Sequence, residues 1–281
     1  MLTTGFAARS LHRRKRLLLP LLISFALFLA VGPVAFAASH SSSLIGPKKY
    51  YLALGDSLSF GYQPDLNFDD GYVNDFTVDL KAHGASSNAN LGCPGETSVT
   101  FLNGKCPVPV LRKYPYLGSQ LNAAVSYLHR HAGLVSPVTL DIGANDVLPD
   151  ISTSDCSVNT SKFATDLAIL DTNLTQTILP ALRQGLTVNG QSTGDILIMN
   201  YYNPYQNICP TTLPYVELLN QHLANDASGY GQIVNVFDAF GGPAQPNVCS
   251  YTWMCSIFKD IHPKDKGYSV IASAFESTTG Y

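Results

Sequence analysis

Residues Tyr50–Tyr62 read YYLALGDSLSFGY. The short apolar run Tyr50–Leu54 has the character of a buried strand. It ends at Gly55-Asp56-Ser57, which puts a serine on the turn leaving the strand's carboxyl end for a helix. In open α/β sheets that edge is where ligands bind. Two later stretches give the serine a context: Gly143-Ala144-Asn145-Asp146, after another apolar strand, and Asp260-Ile261-His262-Pro263 near the C-terminus. Together they supply a nucleophile, an amide donor and a base.

Working outward, further strands are predicted at Ser87–Leu91, Val138–Ile142, Asp195–Met199 and Ile233–Phe237. Helices are predicted at Val73–Ala82, Gly118–His131, Lys162–Arg183, Leu213–Asp226 and Lys264–Phe275, the last opened by Pro263 in the first-turn position proline favours. In the longest helix, Phe163, Leu167, Leu170, Leu174 and Ile178 recur every three or four residues, the helical period. Five strands alternating with helices imply an α/β fold whose parallel sheet is covered on both faces. No internal repeat or domain boundary interrupts it, so residues 50–281 are expected to form one domain. The connections include Gln63–Gly71, a Pro-rich stretch carrying Cys106, the aromatic loop Tyr201–Tyr205, and Gly241–Asp260 with the only tryptophan, Trp253.

The front end reads as a targeting segment. Arg13, Arg14, Lys15 and Arg16 precede the apolar run Leu17–Val31, and Ala35-Phe36-Ala37 follows as a small-residue cleavage signal. The expectation is a signal peptide over residues 1–37, a flexible Ser-rich lead-in over 38–49, and a secreted, extracellular product; an uncleaved membrane anchor is the alternative. The removed segment holds five basic residues and no acids, leaving 17 − 5 = 12 Lys+Arg against 20 Asp+Glu, a net charge of −8. Such a surface argues against nucleic-acid partners. No other apolar run is long enough to span a membrane, so no stable membrane insertion is expected after cleavage, and the chain is expected to act as a monomer.

Cys93, Cys106, Cys156, Cys209, Cys249 and Cys255 all follow the cleavage point. An even set in an exported chain implies three disulfides. Counting does not fix the pairing; near-neighbour pairing is Cys93–Cys106, Cys156–Cys209 and Cys249–Cys255. With no C-x-x-C or compact Cys/His cluster, no metal site is expected. No cofactor is expected either, because neither a G-x-G-x-x-G nor a P-loop pattern occurs.

A serine hydroxyl attacks well only when a base takes its proton and donors stabilise the oxyanion. Ser57 suits the nucleophile and His262 the base. The uncharged amide of Asn145, with the backbone N–H groups of Ser57 and Gly95, suits an oxyanion hole. Gly55-Asp56-Ser57-Leu58, Gly95, Gly143-Ala144-Asn145-Asp146 and His262-Pro263 resemble, in order, the four blocks of the GDSL (SGNH) hydrolase family. The resemblance runs from Tyr50 to Phe275. It implies a flavodoxin-like three-layer α/β/α sandwich with a five-stranded parallel sheet, and ester hydrolysis through an acyl-serine. It also implies Ser57 as nucleophile and first oxyanion donor, Gly95 and Asn145 as the other donors, and His262 as base.

One departure matters. The family's acid usually stands three residues before the histidine, where this chain has Lys259; Asp260 stands two before it. Residues two apart in an extended segment point to the same side, so Asp260 can orient the imidazole. A main-chain carbonyl within Trp253–Lys259 is the other possible partner. The carboxylate is the stronger orienting group. Expected substrates are small-molecule esters, lipids or acylated sugars: Tyr201, Tyr202, Tyr205 and Trp253 suit either an acyl groove or a sugar-stacking surface. Besides an esterase or lipase, the open alternatives are a carbohydrate O-acetyl esterase and an inactive binding module on the same fold.

Overall fold

The structure is a computed structural model describing residues 44–244 and 246–281. The expected signal peptide and the first part of the lead-in lie outside the described residues. In chain order the elements are β1 (Tyr50–Gly55), α1 (Ser57–Phe60), α2 (Tyr72–Ala82), β2 (Ser87–Asn90), α3 (Ser98–Asn103), α4 (Gln120–Arg130), β3 (Val135–Asp141), α5 (Ala144–Val147) and α6 (Thr160–Asn173). There follow α7 (Leu179–Gly185), β4 (Thr187–Val188), β5 (Gln191–Ser192), β6 (Ile196–Met199), α8 (Leu213–Ala227), β7 (Gln232–Val234), α9 (Val236–Ala239), α10 (Val248–Tyr251) and α11 (Asp265–Thr279).

Five strands form one parallel sheet in the order β2-β1-β3-β6-β7, and β4 and β5 form a small separate hairpin. This is the flavodoxin-like order, with a topological switch beside β1. All residues of β3 and β6, and all but the first of β1, are buried. Strands covered on both faces lose the usual alternation and become near-continuous apolar runs, as these do. Helices α2 and α11 pack together on one face, while α4 with α7 and α6 with α8 form the other layer. The fold is therefore a three-layer α/β/α sandwich with a single apolar core.

Four boundaries depart from expectation for identifiable reasons. The fifth strand stops at Val234 instead of reaching Phe237, because the Asn235 side chain accepts from Asp238 N and caps α9. Pro263 does not sit in the first turn of the last helix. Lys264 is the N-cap, and Pro263 forms an antiparallel bridge with Thr252. The Pro-rich stretch contains α3, started by a Thr97/Thr100 capping box. The long helix continues from α6 into α7 through a π-helical turn, Leu174–Ile178, followed by Pro180. Proline supplies no N–H to a helical ladder.

Residues 44–49 of the expected flexible lead-in are tethered: Ile45 N and Gly46 N each donate to the Asp195 carboxylate at 2.9 Å, and Lys48 N donates to Ser136 O at 2.9 Å. The disulfides are Cys93–Cys106, Cys156–Cys209 and Cys249–Cys255, all on connections that flank the carboxyl edge of the sheet. No helix among the described residues is long and apolar enough to cross a membrane.

Candidate active site

The nucleophile turn is built from β1 outward. Gly55 has φ +139, and a Cβ there would collide with Asp141 O, so only glycine fits. Asp56 caps α1: its Oδ1 accepts from Leu58 N at 2.8 Å. Ser57 opens that helix and is 7% exposed. First-turn amides have no intrahelical partner, which leaves the Ser57 N–H available to an incoming group.

His262, the expected base, comes from the segment between α10 and α11. Trp253 N donates to His262 O at 3.0 Å, Lys264 N donates to Tyr251 O at 2.8 Å, and the Tyr202 hydroxyl donates to Ile261 O at 2.7 Å. The Tyr62 ring packs on the imidazole with centroids 4.6 Å apart. These contacts bring His262 Nε2 to 2.7 Å from Ser57 Oγ. Asp260 Oδ1 lies 2.6 Å from His262 Nδ1 and also accepts from His262 N at 2.8 Å. The two-residue spacing thus works as a tight turn, with Lys259 at φ +48, in which one carboxylate oxygen serves both the backbone and the ring.

Partial burial raises the Asp260 carboxyl, but the hydrogen bond and charge of His262 outweigh it and hold the group below the usual aspartate range. An ionised carboxylate only accepts hydrogen bonds. Hence Nδ1 carries the imidazole proton, and Nε2 is left to accept from the Ser57 hydroxyl. The charge beneath the nucleophile is arranged differently. Asp56 and Asp141 are 2% and 0% exposed, and burial raises both carboxyls. Asp141 rises further because of the Asp56 charge beside it, the opposite direction to the shift of Asp260. Asp141 accepts from the Tyr72 hydroxyl at 2.8 Å and from Ser59 N at 3.0 Å.

Asn145 lies at the start of α5, and its Nδ2 donates to Asp56 Oδ2 at 3.2 Å and to Glu96 O at 3.0 Å. Both amide protons therefore have protein partners. Gly95, at φ +81, sits in the turn that presents Glu96 O to Asn145, but it does not line the adjoining cavity. Asp146 accepts from Ser98 N at 2.9 Å and from Ser98 Oγ at 2.6 Å, joining α5 to α3. Burial pushes the Asp146 carboxyl up to about 6. Glu96 lies against the Cys93–Cys106 disulfide, whose oxidised sulfurs have no thiolate to offer a metal.

Ser57, Asn145 and His262 open onto a narrow cavity of about 30 Å³, walled by Leu58, Leu148, Tyr201, Tyr202, Val216 and Leu219. Of the aromatic residues expected near the substrate, Tyr201 and Tyr202 line it. Tyr205 lines a neighbouring open groove, and Trp253 lines neither. The walls from α8 and the buried groups Asp141, Glu96 and Gln120 were not singled out from the sequence. Val216 and Leu219 follow an ordinary helical core pattern, and a buried acid in a Gly-rich turn carries no local mark.

A family profile described as the GDSL-like lipase/acylhydrolase family matches residues 53–270. The chain belongs to that family. It is, accordingly, a carboxylic-ester hydrolase. No curated protein sequence matches it. Among solved structures it is similar to a lipase from a goat rumen metagenome, at 18% identity and TM-score 0.62, covering 83% of this chain and 97% of that one. It is also similar to an acetylxylan esterase from Geobacillus stearothermophilus (18%, 0.51, covering 85% and 97%) and a phospholipase A1 from Streptomyces albidoflavus NA297 (17%, 0.50, covering 82% and 99%). At these identities the likeness concerns the fold, which all three share with this GDSL hydrolase.

Proposed function

We propose that this GDSL hydrolase cleaves esters of apolar acyl chains through an acyl-serine intermediate. Ser57 Oγ attacks the ester carbonyl carbon as its proton passes to His262 Nε2, and Asp260 stabilises the imidazolium through Nδ1–H. The developing oxyanion receives the N–H groups of Ser57 and Gly95 and the Asn145 amide, whose longer bond, to Asp56, is the one it replaces. Collapse expels the alcohol, which takes the proton from His262. Water, deprotonated by His262, then attacks the acyl-serine and releases the acid.

The observation that carries this reading is the Ser57–His262–Asp260 relay, at 2.7 and 2.6 Å, facing an apolar cavity. A lining dominated by Leu58, Leu148, Val216, Leu219 and Ile261 suits an acyl chain better than an acetyl group on a sugar, and of the expected stacking residues Tyr201 and Tyr202 are present there while Trp253 is not. We also take residues 50–281 as one hydrolase domain, exported after cleavage at Ala37. The three disulfides support export, since such bonds persist in oxidising compartments.

A fluorophosphonate probe on the mature protein, with Ser57→Ala as control, tests the nucleophile, and p-nitrophenyl esters of increasing chain length test the acyl site. Labelling confined to Ser57, with rates rising beyond acetyl, is the expected result. Folded protein that failed to label would sink the mechanism, and strict acetyl preference would favour the sugar deacetylase. A mass-spectrometric N-terminus near Ala38 is expected for the exported protein; a retained leader would overturn the export reading.

A further inference from the structure

Gln120, the first residue of α4, is 1% exposed, and its carboxamide is fully used. Oε1 accepts from Gly55 N at 2.6 Å, and Nε2 donates to Gly55 O at 2.9 Å. The side chain thus pairs with the peptide two residues before Ser57 as a strand would. It does so where β2 has ended: the β1–β2 register stops at Ala53 with Asn90, and the contact continues only through Leu91 N to Ala53 O at 2.9 Å and Cys93 N to Gly55 O at 3.1 Å. The second Nε2 proton goes to Glu96 Oε2 at 3.0 Å. Glu96 is 0% exposed, and its main-chain carbonyl is the acceptor for Asn145 Nδ2.

One continuous path therefore runs from the Ser57 turn through Gln120 and Glu96 to Gly95 on one side and Asn145 on the other. These are the three pieces of chain that must aim donors at a single oxygen. No such tie is needed for the fold, because Asp56 N to Asp141 O and the β1–β3 ladder already hold β1 at its end.

We propose that Gln120, anchored by Glu96, is a positioning residue that sets the Ser57 turn in register with the Gly95 turn and Asn145, and so determines the geometry of the oxyanion hole. The proposal rests on the reading of Ser57, Gly95 and Asn145 given above. It predicts an effect on the transition state and little effect on ground-state binding. Misplacing reacting groups by about 1 Å costs on the order of 10²-fold in rate.

The test uses Gln120→Met, which keeps the side chain's length and removes its hydrogen bonds. Active sites are titrated with the fluorophosphonate, and kcat is expressed per titrated serine. The expected result is a kcat about 10²-fold lower with KM within about twofold. A merely structural role would reduce the amount of titratable enzyme and leave kcat per site unchanged; that outcome overturns the proposal.

Gln120→Glu serves if the methionine variant does not fold. The introduced carboxyl faces Glu96 and Gly55 O, so the variant's activity relative to wild type must rise as pH falls and that carboxyl takes up a proton. A flat ratio across pH overturns the proposal equally. Wild-type labelling at Ser57 with no change in either variant would reject the positioning role alone. Full activity in Ser57→Ala would reject the underlying mechanism instead.

Discussion

The two halves of the Ser57–His262 relay are held by opposite means. On the nucleophile side, Ser57 leaves a strand inside the sheet and rests on polar groups shut away from water: Asp56, Asp141, Glu96 and Gln120. On the base side, His262 sits on a connection closed by Cys249–Cys255 and a single bridge from Thr252 to Pro263. The same connection leaves Ile257 92% exposed. One half is fixed by the core of the fold, the other by local chain geometry. Changes to the strand that carries the first should register in folding, and changes to the connection that carries the second in rate.

The largest effect expected is from Ser57→Ala, about 10⁶-fold in kcat, measured on a p-nitrophenyl ester. Its thermal midpoint should stay near wild type, because the hydroxyl's close partner is the His262 ring. Asp260→Asn comes next: loss of the ionised acceptor frees the wrong imidazole tautomer, at a cost of up to about 10⁴-fold in kcat. Normal far-UV dichroism in that variant would place the damage in rate, as the base side predicts. Gly55→Ala should do the reverse, failing to accumulate or losing at least roughly 3 kcal/mol in urea unfolding, since a Cβ meets a buried carbonyl. A stable, active Gly55→Ala would break the contrast.

The Cys249–Cys255 bond closes a much shorter loop than the other two disulfides, and replacing both cysteines by serine should cost about 2 kcal/mol. The kcat of that double variant should fall even at temperatures where it remains folded. The last effect concerns pH. Because folding raises the Asp146 carboxyl to about 6, the folded state binds its proton more tightly than the unfolded chain. The associated stability is fully present below about pH 4, the ordinary aspartate value, and lost as pH rises through about 6. Urea midpoints should show Asp146→Asn gaining on wild type across that window; an unchanged difference would remove Asp146 from the pH-sensitive set.

The contrast also explains what could be read from the chain alone. Strand, turn and serine at Tyr50–Ser57 are contiguous, so the position of Ser57 at its edge of the sheet was legible in one short stretch. His262 is expected as a base and Asp260 as its partner by chemistry, and the turn at Lys259 that brings the two into contact at a two-residue spacing is visible only in three dimensions. Gln120 and Glu96 left no trace: a glutamine at a helix start and a glutamate beside glycine are residues that normally face water. Their burial follows from β2 ending early beside β1, a tertiary fact. Local capping decided the remaining differences, since the side chain of Asn235 outcompeted the β-propensity of Val236 and Phe237.

The Cys156–Cys209 bond joins the connection after Leu148 to the one carrying Tyr201, Tyr202 and Pro204, and these four residues all line the cavity beside Ser57. The two connections cannot drift apart without breaking a covalent staple. On the proposed reading of this cavity, such a wall is a fixed gauge: an acyl group that fits should meet no reorganisation cost, and one that is too broad should be refused. Selectivity against branching should appear as a step, and reduction of that one bond should turn the step into a slope.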